Sequence, residues 1–407
     1  MAALPANSLP TNRDENWRYA NLRPLSKARV DAVPASDTAP PAITLPALLP
    51  RYERWAFLDG RLVAAWSAPA QNSRAALLDA RAAGAAFAQM LDAAIASAGV
   101  DFALARANAM RGDQVLHIAL PDNAAAASIE LNFIASAAAA HGTSYPRVQL
   151  HAGRNTQLRL IERHLSAGAS DSAINAAVDL ALGAGATVDH VRLQSCAESA
   201  SCFDTLVAHV GDAASYRLRT VTLGGITARS TAFIKLAGRG ARCELSATSV
   251  ANGIQTHDMF AEIEHSGADT VTREIFRGIA TERGKLAFNG KMIVRDAAHG
   301  ADSDQSLKSL LTGAGSEAAL RPQLEIYTDR VRAKHGATTG KLDEQMLFYL
   351  LSRGIERPTA QALLQWAFIE DAVSQIEPAE LRREVEAKVA ARLLEVSALH
   401  GLLGESP

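Results

Sequence analysis

The sequence predicts a mainly β protein with added helices: a right-handed parallel β-helix core flanked by N-terminal and C-terminal helical domains. Three observations carry this expectation: glycine-containing turns at nearly even spacing, period-2 alternation between them, and helical periodicity confined to the two ends. The turns are His151-Ala-Gly153-Arg-Asn, Gly183-Ala-Gly185-Ala, Val210-Gly211-Asp-Ala-Ala, Ala237-Gly238-Arg-Gly240-Ala, His265-Ser-Gly267-Ala-Asp and His299-Gly300-Ala-Asp302, set roughly 26 to 33 residues apart. One strand-turn-strand rung cannot bury its own apolar face, whereas stacked rungs share a continuous core. Glycine accepts positive φ at such corners, and Asn or Asp tolerates it. Parallel crossovers make the right-handed form the expected one. Antiparallel sheets in a sandwich are the alternative that the spacing leaves open.

The elements follow in order. Five of the fifteen prolines, Pro34, Pro40, Pro41, Pro46 and Pro50, fall between Val30 and Pro50 and predict an extended linker. Asp59-Gly60 between Trp55-Ala-Phe-Leu and Arg61-Leu-Val-Ala-Ala-Trp66 predicts a small hairpin. From about Ser73 to Ala98, Phe87, Leu91, Ala94 and Ile95 share a helical face, with Gly99 as the stop. Asp101 then caps a second short helix through Ala109, and Val115–Leu120 reads as a strand. The expected units are an N-terminal helical domain over residues 1–110, containing the linker and hairpin, the β-helix over 111–340, and a C-terminal helical domain over 341–407.

The stretch from Pro322 to Glu344 joins the last two units. Leu324, Ile326 and Thr328 alternate with polar neighbours as in a strand with one buried face, and Gly336 and Gly340 then free the backbone, which puts His335 on the exit turn. Asp343 caps a helix that ends at Gly354, and Pro358 opens the next, with Leu364, Phe368, Ala372 and Ile376 on one side. Pro378 breaks it. A final helix carries Leu381, Val385, Val389, Leu393 and Val396 on one face, with Glu384 and Lys388 paired on its surface.

Composition narrows the function. A balance of 41 basic and 43 acidic residues, with no basic run, argues against nucleic acid or an anionic membrane as a partner. The first residues lack the pattern of a signal peptide, and no window approaches a membrane span, so a cytoplasmic location is expected. Cys196, Cys202 and Cys243 form no Cys-x-x-Cys pair and no four-cysteine set, and read as small buried residues.

Two glycine-lysine stretches, Gly278 to Lys285 and Gly336 to Lys341, have the wrong glycine spacing for a phosphate loop and place Leu286 and Leu342 where a hydroxyl is needed. They read as rung turns. No nucleophile elbow, His-Glu-x-x-His helix or dinucleotide fingerprint is present, so no catalytic residue is assigned. Among the eleven histidines, His257, His265, His299 and His335 lie in the repeat region, at spacings that by themselves predict no metal site. His335 differs because Lys334 and Gly336 set it at the edge of the last rung. A neutral imidazole there suits iron or zinc, while a turn histidine bonded to backbone is the structural alternative. Asp302 and Asp304 would share a face, as the carboxylates of carbohydrate-active β-helix enzymes do, but only 5% of residues are aromatic.

The C-terminal block is the most specific part of the chain. Pro322-Gln-Leu-Glu-Ile-Tyr, Lys334-His335-Gly336-Ala337-Thr338 and Leu342-Asp-Glu-Gln-Met-Leu-Phe348-Tyr349-Leu-Leu-Ser-Arg353-Gly354-Ile355 resemble the SufB/SufD family of iron–sulfur cluster assembly proteins, in the form of its SufD branch. Shorter matches are Glu15-Asn-Trp17-Arg18-Tyr19, Asp101 through Asn108, Leu160-Ile-Glu162 and Phe288-Asn-Gly290-Lys291. The resemblance implies a β-helix between helical domains and a non-enzymatic scaffold that pairs with SufB and binds the SufC ATPase, to which ATP hydrolysis would belong. A homodimer is the implied form when the chain is isolated. It implies no cofactor held by this chain alone, but an iron ion or nascent cluster shared transiently with SufB. His335 matches a histidine linked to iron entry or cluster formation. The SufC-docking segment would run from about Leu342 to Ile376, with Tyr349, Arg353 and Ile355 as contacts. Many members of the branch carry a cysteine two residues before the histidine; here that residue is Ala333, so any thiolate ligand must come from the partner.

Overall fold

Short alternating runs become parallel strands, which through the repeat region hydrogen-bond to the strands two before and two after rather than to their neighbours in sequence. The computed structural model describes residues 9–26, 31–34, 43–79, 102–140, 142–168 and 171–393. In chain order the strands are β1 (Glu53–Leu58), β2 (Arg61–Leu62), β3 (Ala75–Asp79), β4 (Gln114–Leu120), β5 (Ala127–Ala135), β6 (Arg147–Ala152), β7 (Gln157–Ser166), β8 (Ala173–Leu182), β9 (Thr187–Gln194) and β10 (Ser201–Val210). They continue as β11 (Ser215–Thr222), β12 (Thr227–Leu236), β13 (Arg242–Ala251), β14 (Thr256–His265), β15 (Val271–Ala280), β16 (Lys285–Val294), β17 (Ala301–Leu311), β18 (Glu317–Ile326) and β19 (Val331–Gly340). The longer helices are α1 (Ala103–Arg111), α2 (Glu344–Ser352), α3 (Arg357–Val373) and α4 (Ala379–Leu393).

The odd-numbered strands other than β3, together with β2, make a ten-stranded sheet, and the even-numbered strands other than β2, together with β3, a nine-stranded one. Among the described strands, β1–β2 and β3–β4 pair antiparallel and the others in parallel. A chain that changes sheet at every strand while pairing in parallel climbs as a solenoid, here of about eight turns. Pairing is in register, so side chains stack in columns; Leu158, Val188, Tyr216 and Cys243 form one that fills the interior between the sheets. All three cysteines are buried and free.

The sequence turns stack at one corner. Asn155, Gly185, Ala213, Gly240, Asp269 and Gly300 each adopt positive φ there, between 52° and 80°. The N–H of each of the first five donates to a carbonyl of the next turn at 2.8–2.9 Å. A Cβ on Gly238 would collide with the backbone of Asp212 in the preceding turn, so that glycine is required by close approach. Ala213 is the one residue of the six that is neither Gly nor Asx. Replacing it by glycine is expected to stabilise the fold by roughly 0.5–1 kcal/mol, because the left-handed penalty exceeds the entropy glycine adds to the unfolded chain. The urea midpoint checks this.

Helices and the N-terminal segment cover the outer faces. Trp17 is fully buried with Ala20, Leu104 and Phe203. The Arg229 guanidinium lies 4.1 Å from the Trp17 ring centroid and donates to the Asn16 carbonyl at 2.9 Å. Asn108 on α1 donates to the carbonyls of Pro146 (3.0 Å) and Asn175 (2.7 Å), while the Asn175 amide returns a bond to Leu104 at 2.9 Å. On the odd-strand sheet, Ile369, Val373, Leu381, Val385 and Val389 pack on Val191, Leu193, Val221 and Ile279.

Three expectations are corrected. Residues 75–79 are a strand, not the start of a helix, because they complete the edge of the even-strand sheet against β4, with Leu77 opposite Leu116. Residues 80–98 of the expected helix, the Gly99 stop and the Asp101 cap lie outside the described residues. The strand-built body therefore begins at β1, inside the segment expected to be a helical domain. Glu384 does not serve a surface pair with Lys388. Its two oxygens accept from Arg163 at 2.7 and 2.8 Å, which fastens α4 to the sheet. Val396 lies outside the described residues.

Candidate functional site

Among the described residues, no strand caps the C-terminal end of the solenoid. β18 and β19 are the last strands of their sheets, so one edge of each has no strand partner among the described residues. Lys334 through Thr339 are all exposed on β19. An uncovered edge of this length is an open template for another chain.

His335 sits in the middle of β19 rather than on an exit turn. The turn is Tyr327–Arg330, where His299 Nδ1 and the Thr328 hydroxyl are 3.0 Å apart. Gly336 and Gly340 stay extended because β19 pairs with β17 continuously from Val331 to Gly340, and nothing lies within 4 Å of where their Cβ atoms would be. The ladder overrides the freedom of glycine. Ala333 is opposite Ser303, and His335 is opposite Gln305.

Beside this edge, Asp302 accepts from Arg273 at 2.8 Å and pairs with Arg332 at 2.9 Å. The Arg273 hydrogen bond comes first in holding its carboxyl below the usual range, with Arg332 adding to it. Asp302 is thus a committed ion-pair member, unsuited to protonating a glycosidic oxygen. Asp304 is opposite Lys334.

The other histidines do not converge on His335. His257 Nδ1 lies 2.9 Å from the Ser249 hydroxyl, and His265 lies between Thr270 (2.8 Å) and Thr272 (3.0 Å). Burial lowers both to about 4, which keeps them neutral. No group of three or more His, Cys, Asp or Glu among the described residues is placed to hold a metal ion. The glycine-lysine stretches do not form phosphate-cradling loops at a helix start: Gly278 is inside β15, Gly284 precedes β16, and Gly336 and Gly340 are in β19. Only Gly284 is at a rung turn.

A second polar centre, which the sequence reading did not single out, lies inside the early coils. Glu162 is fully buried and meets His164 at 2.6 Å, His190 at 3.1 Å and Arg192 at 3.0 Å. Arg192 also pairs with Asp204 at 2.5 Å. Burial opposes charge on Glu162, but Arg192 and the two histidines hold its carboxyl well below the ordinary range. Cys202 Sγ is 3.7 Å from His164 Nδ1. The sequence signal is the spacing: His190 and Arg192, two residues apart on β9, lie one coil on from Glu162 on inward positions.

At the C-terminal end, Asp343 accepts from the N–H groups of Gln345 (2.8 Å) and Met346 (3.1 Å) and caps α2. Leu347 points inward at 2% exposure, while Met346, Phe348 and Tyr349 are 54%, 72% and 54% exposed. The Arg353 guanidinium is 5.2 Å from the Tyr349 ring centroid. Ile355, after the positive-φ Gly354, is half-buried and donates to the Leu350 carbonyl at 3.2 Å. Tyr349 and Arg353 therefore share one exposed face, while Ile355 closes the turn.

These features define a two-sheeted parallel β-solenoid with an open terminal rung and an exposed helical face beside it. The chain belongs to the family described as SUF system FeS cluster assembly, SufBD core domain, whose model matches residues 133–368, more than half of the sequence. It is 28% identical over 401 residues to the iron–sulfur cluster assembly protein SufD of Escherichia coli (strain K12), covering 97% of this chain and 91% of that protein. A SufBD family protein of Synechocystis is 28% identical over 54% of this chain and 49% of its own length. SufD of Plasmodium berghei is 24% identical over 60% of this chain and 18% of its own length. The chain thus has a role in iron–sulfur cluster assembly. No helix among the described residues is long and apolar enough to cross a membrane.

Proposed function

We propose that the chain is a non-enzymatic scaffold subunit of the SUF assembly complex in the cytoplasm, pairing with SufB through its open last coil and holding the SufC ATPase on its C-terminal helices. The observation that carries this reading is the uncovered β18–β19 end, with His335 at the centre of the exposed strand. Extending the ladder with a sister solenoid would satisfy the free backbone groups and bury His335 at a shared site. The solenoid core, 111–340, carries that edge on its last rung, and the 341–407 handle follows directly from it. The nascent cluster or its iron is cargo at the junction, and thiolate ligands come from the partner because position 333 is alanine.

Co-purification of the full chain with SufB and SufC tests the proposal: a stable ternary complex is expected, and failure to form one sinks it. The same edge would serve a homodimer of the isolated chain. Homodimers that persist against excess SufB would make self-association its working state. Within the complex, His335→Ala is expected to leave folding and assembly of subunits unchanged and to lower cluster formation by about tenfold or more, the range for losing a group that holds a metal or orients its ligand. Unchanged cluster formation would return His335 to an ordinary edge histidine.

A further inference from the structure

One column of matched positions runs along the odd-strand sheet to the open end: Leu218, Leu245, Glu274, Gln305 and His335. Matched residues on in-register parallel strands share a face. Glu274 and Gln305 are buried, so the column faces the interior, and it changes from apolar to polar as it approaches the open rung. The Gln305 amide nitrogen donates to Glu274 Oε2 at 2.6 Å and to the Gly290 carbonyl at 3.0 Å. Both amide hydrogens are therefore used, and exchanging the amide oxygen and nitrogen would set oxygen against two acceptors. A Cβ on residue 290 would lie 2.5 Å from Glu274 Oε2 and 3.0 Å from Gln305 Nε2, so glycine makes room for this clamp. The remaining atom, Gln305 Oε1, is buried and has no hydrogen-bond partner. A buried acceptor fixed in place without a donor calls for an explanation. The next residue on the column is His335, about 4.8 Å along the sheet, which carries a ring N–H.

We propose that Gln305, clamped by Glu274, is a positioning residue: when a partner covers the open end, Gln305 Oε1 accepts the N–H of His335 and leaves the other ring nitrogen's lone pair facing the shared site. The ligand class is a borderline divalent metal such as iron(II), for which a neutral imidazole of fixed tautomer is a ready donor. This rests on the reading of His335 at a SufB-type interface.

The test uses the full chain in complex with SufB and SufC. Q305L and E274L are each expected to lower cluster formation about tenfold, as loss of a group that orients a ligand does. E274Q retains a carbonyl acceptor for Gln305 and should stay near wild type. The H335A/Q305L double variant should be no worse than H335A. Ring 15N shifts of the histidine-labelled complex supply a readout that a packing defect would not move: a single His335 tautomer in the wild type, and a mixture in Q305L. A mixture in the wild type overturns the proposal whatever the variants do. Loss in H335A with full activity in Q305L overturns it while leaving the His335 reading intact, and an inert H335A overturns both.

Discussion

Glu162→Gln is expected to destabilise the protein by about 3–5 kcal/mol, the range for breaking a buried charged network by removing one partner. Glu162, itself without exposed surface, takes bonds from His164, His190 and Arg192, and Arg192 bridges onward to Asp204 on the opposite sheet. Glutamine preserves the shape but withdraws the charge that offsets the Arg192 guanidinium, and its amide hydrogens confront other donors. The urea midpoint and hydrogen exchange in β7 through β10 would read the loss, since stacked coils can open locally. The pH dependence has a fixed sign. Because the folded-state carboxyl is held well below its usual range, its contribution is complete above the unfolded value of about 4.3 and declines as pH falls through the folded value. The gap between wild type and variant should therefore narrow on acidification below about pH 4. A gap that widens, or an unchanged midpoint at pH 7, contradicts this account of the interior.

The coil corners were legible in the sequence because a left-handed backbone restricts residue type, and Asn155, Gly185, Gly240, Asp269 and Gly300 announce it at one-coil spacing. What local pattern could not supply was pairing. The alanine-rich start at 75–79 reads as helix until β4 is beside it, and Gly336 and Gly340 read as a turn until β17 holds them extended. His335 was singled out from its edge position and family resemblance, yet its place on the column of Glu274 and Gln305 depends on register, which is a property of three strands together. The Glu162 centre was hidden for the same reason: His190 and Arg192, on the next strand of the sheet, are 28 and 30 residues away from it in sequence. Inward-facing polar residues repeating at the coil spacing are the signal that a reading of single strands passes over.

Replacing Phe348 by Asp together with Tyr349→Ala is expected to weaken binding to SufC by at least 2 kcal/mol, about thirtyfold, while costing the fold no more than about 1 kcal/mol. The separation of the two effects follows from geometry. Phe348 and Tyr349 are 72% and 54% exposed, so they contribute little to the core, whereas Leu347 between Met346 and Phe348 is 2% exposed and anchors α2. Removing Tyr349 also frees Arg353 from its ring, a contact worth about 0.5–1 kcal/mol at an exposed site. An ATPase docked on this face would bury the aromatic pair and desolvate Arg353, the combination that concentrates binding energy in a few central residues. Ile355→Ala supplies the contrast: half-buried after Gly354, it should lower stability as well as binding. Titration calorimetry with SufC and urea unfolding of the free chain separate the cases. If the double variant binds SufC as tightly as wild type, the exposed α2 face serves another partner and the ATPase handle must lie elsewhere; if it also loses SufB, the two surfaces are not independent.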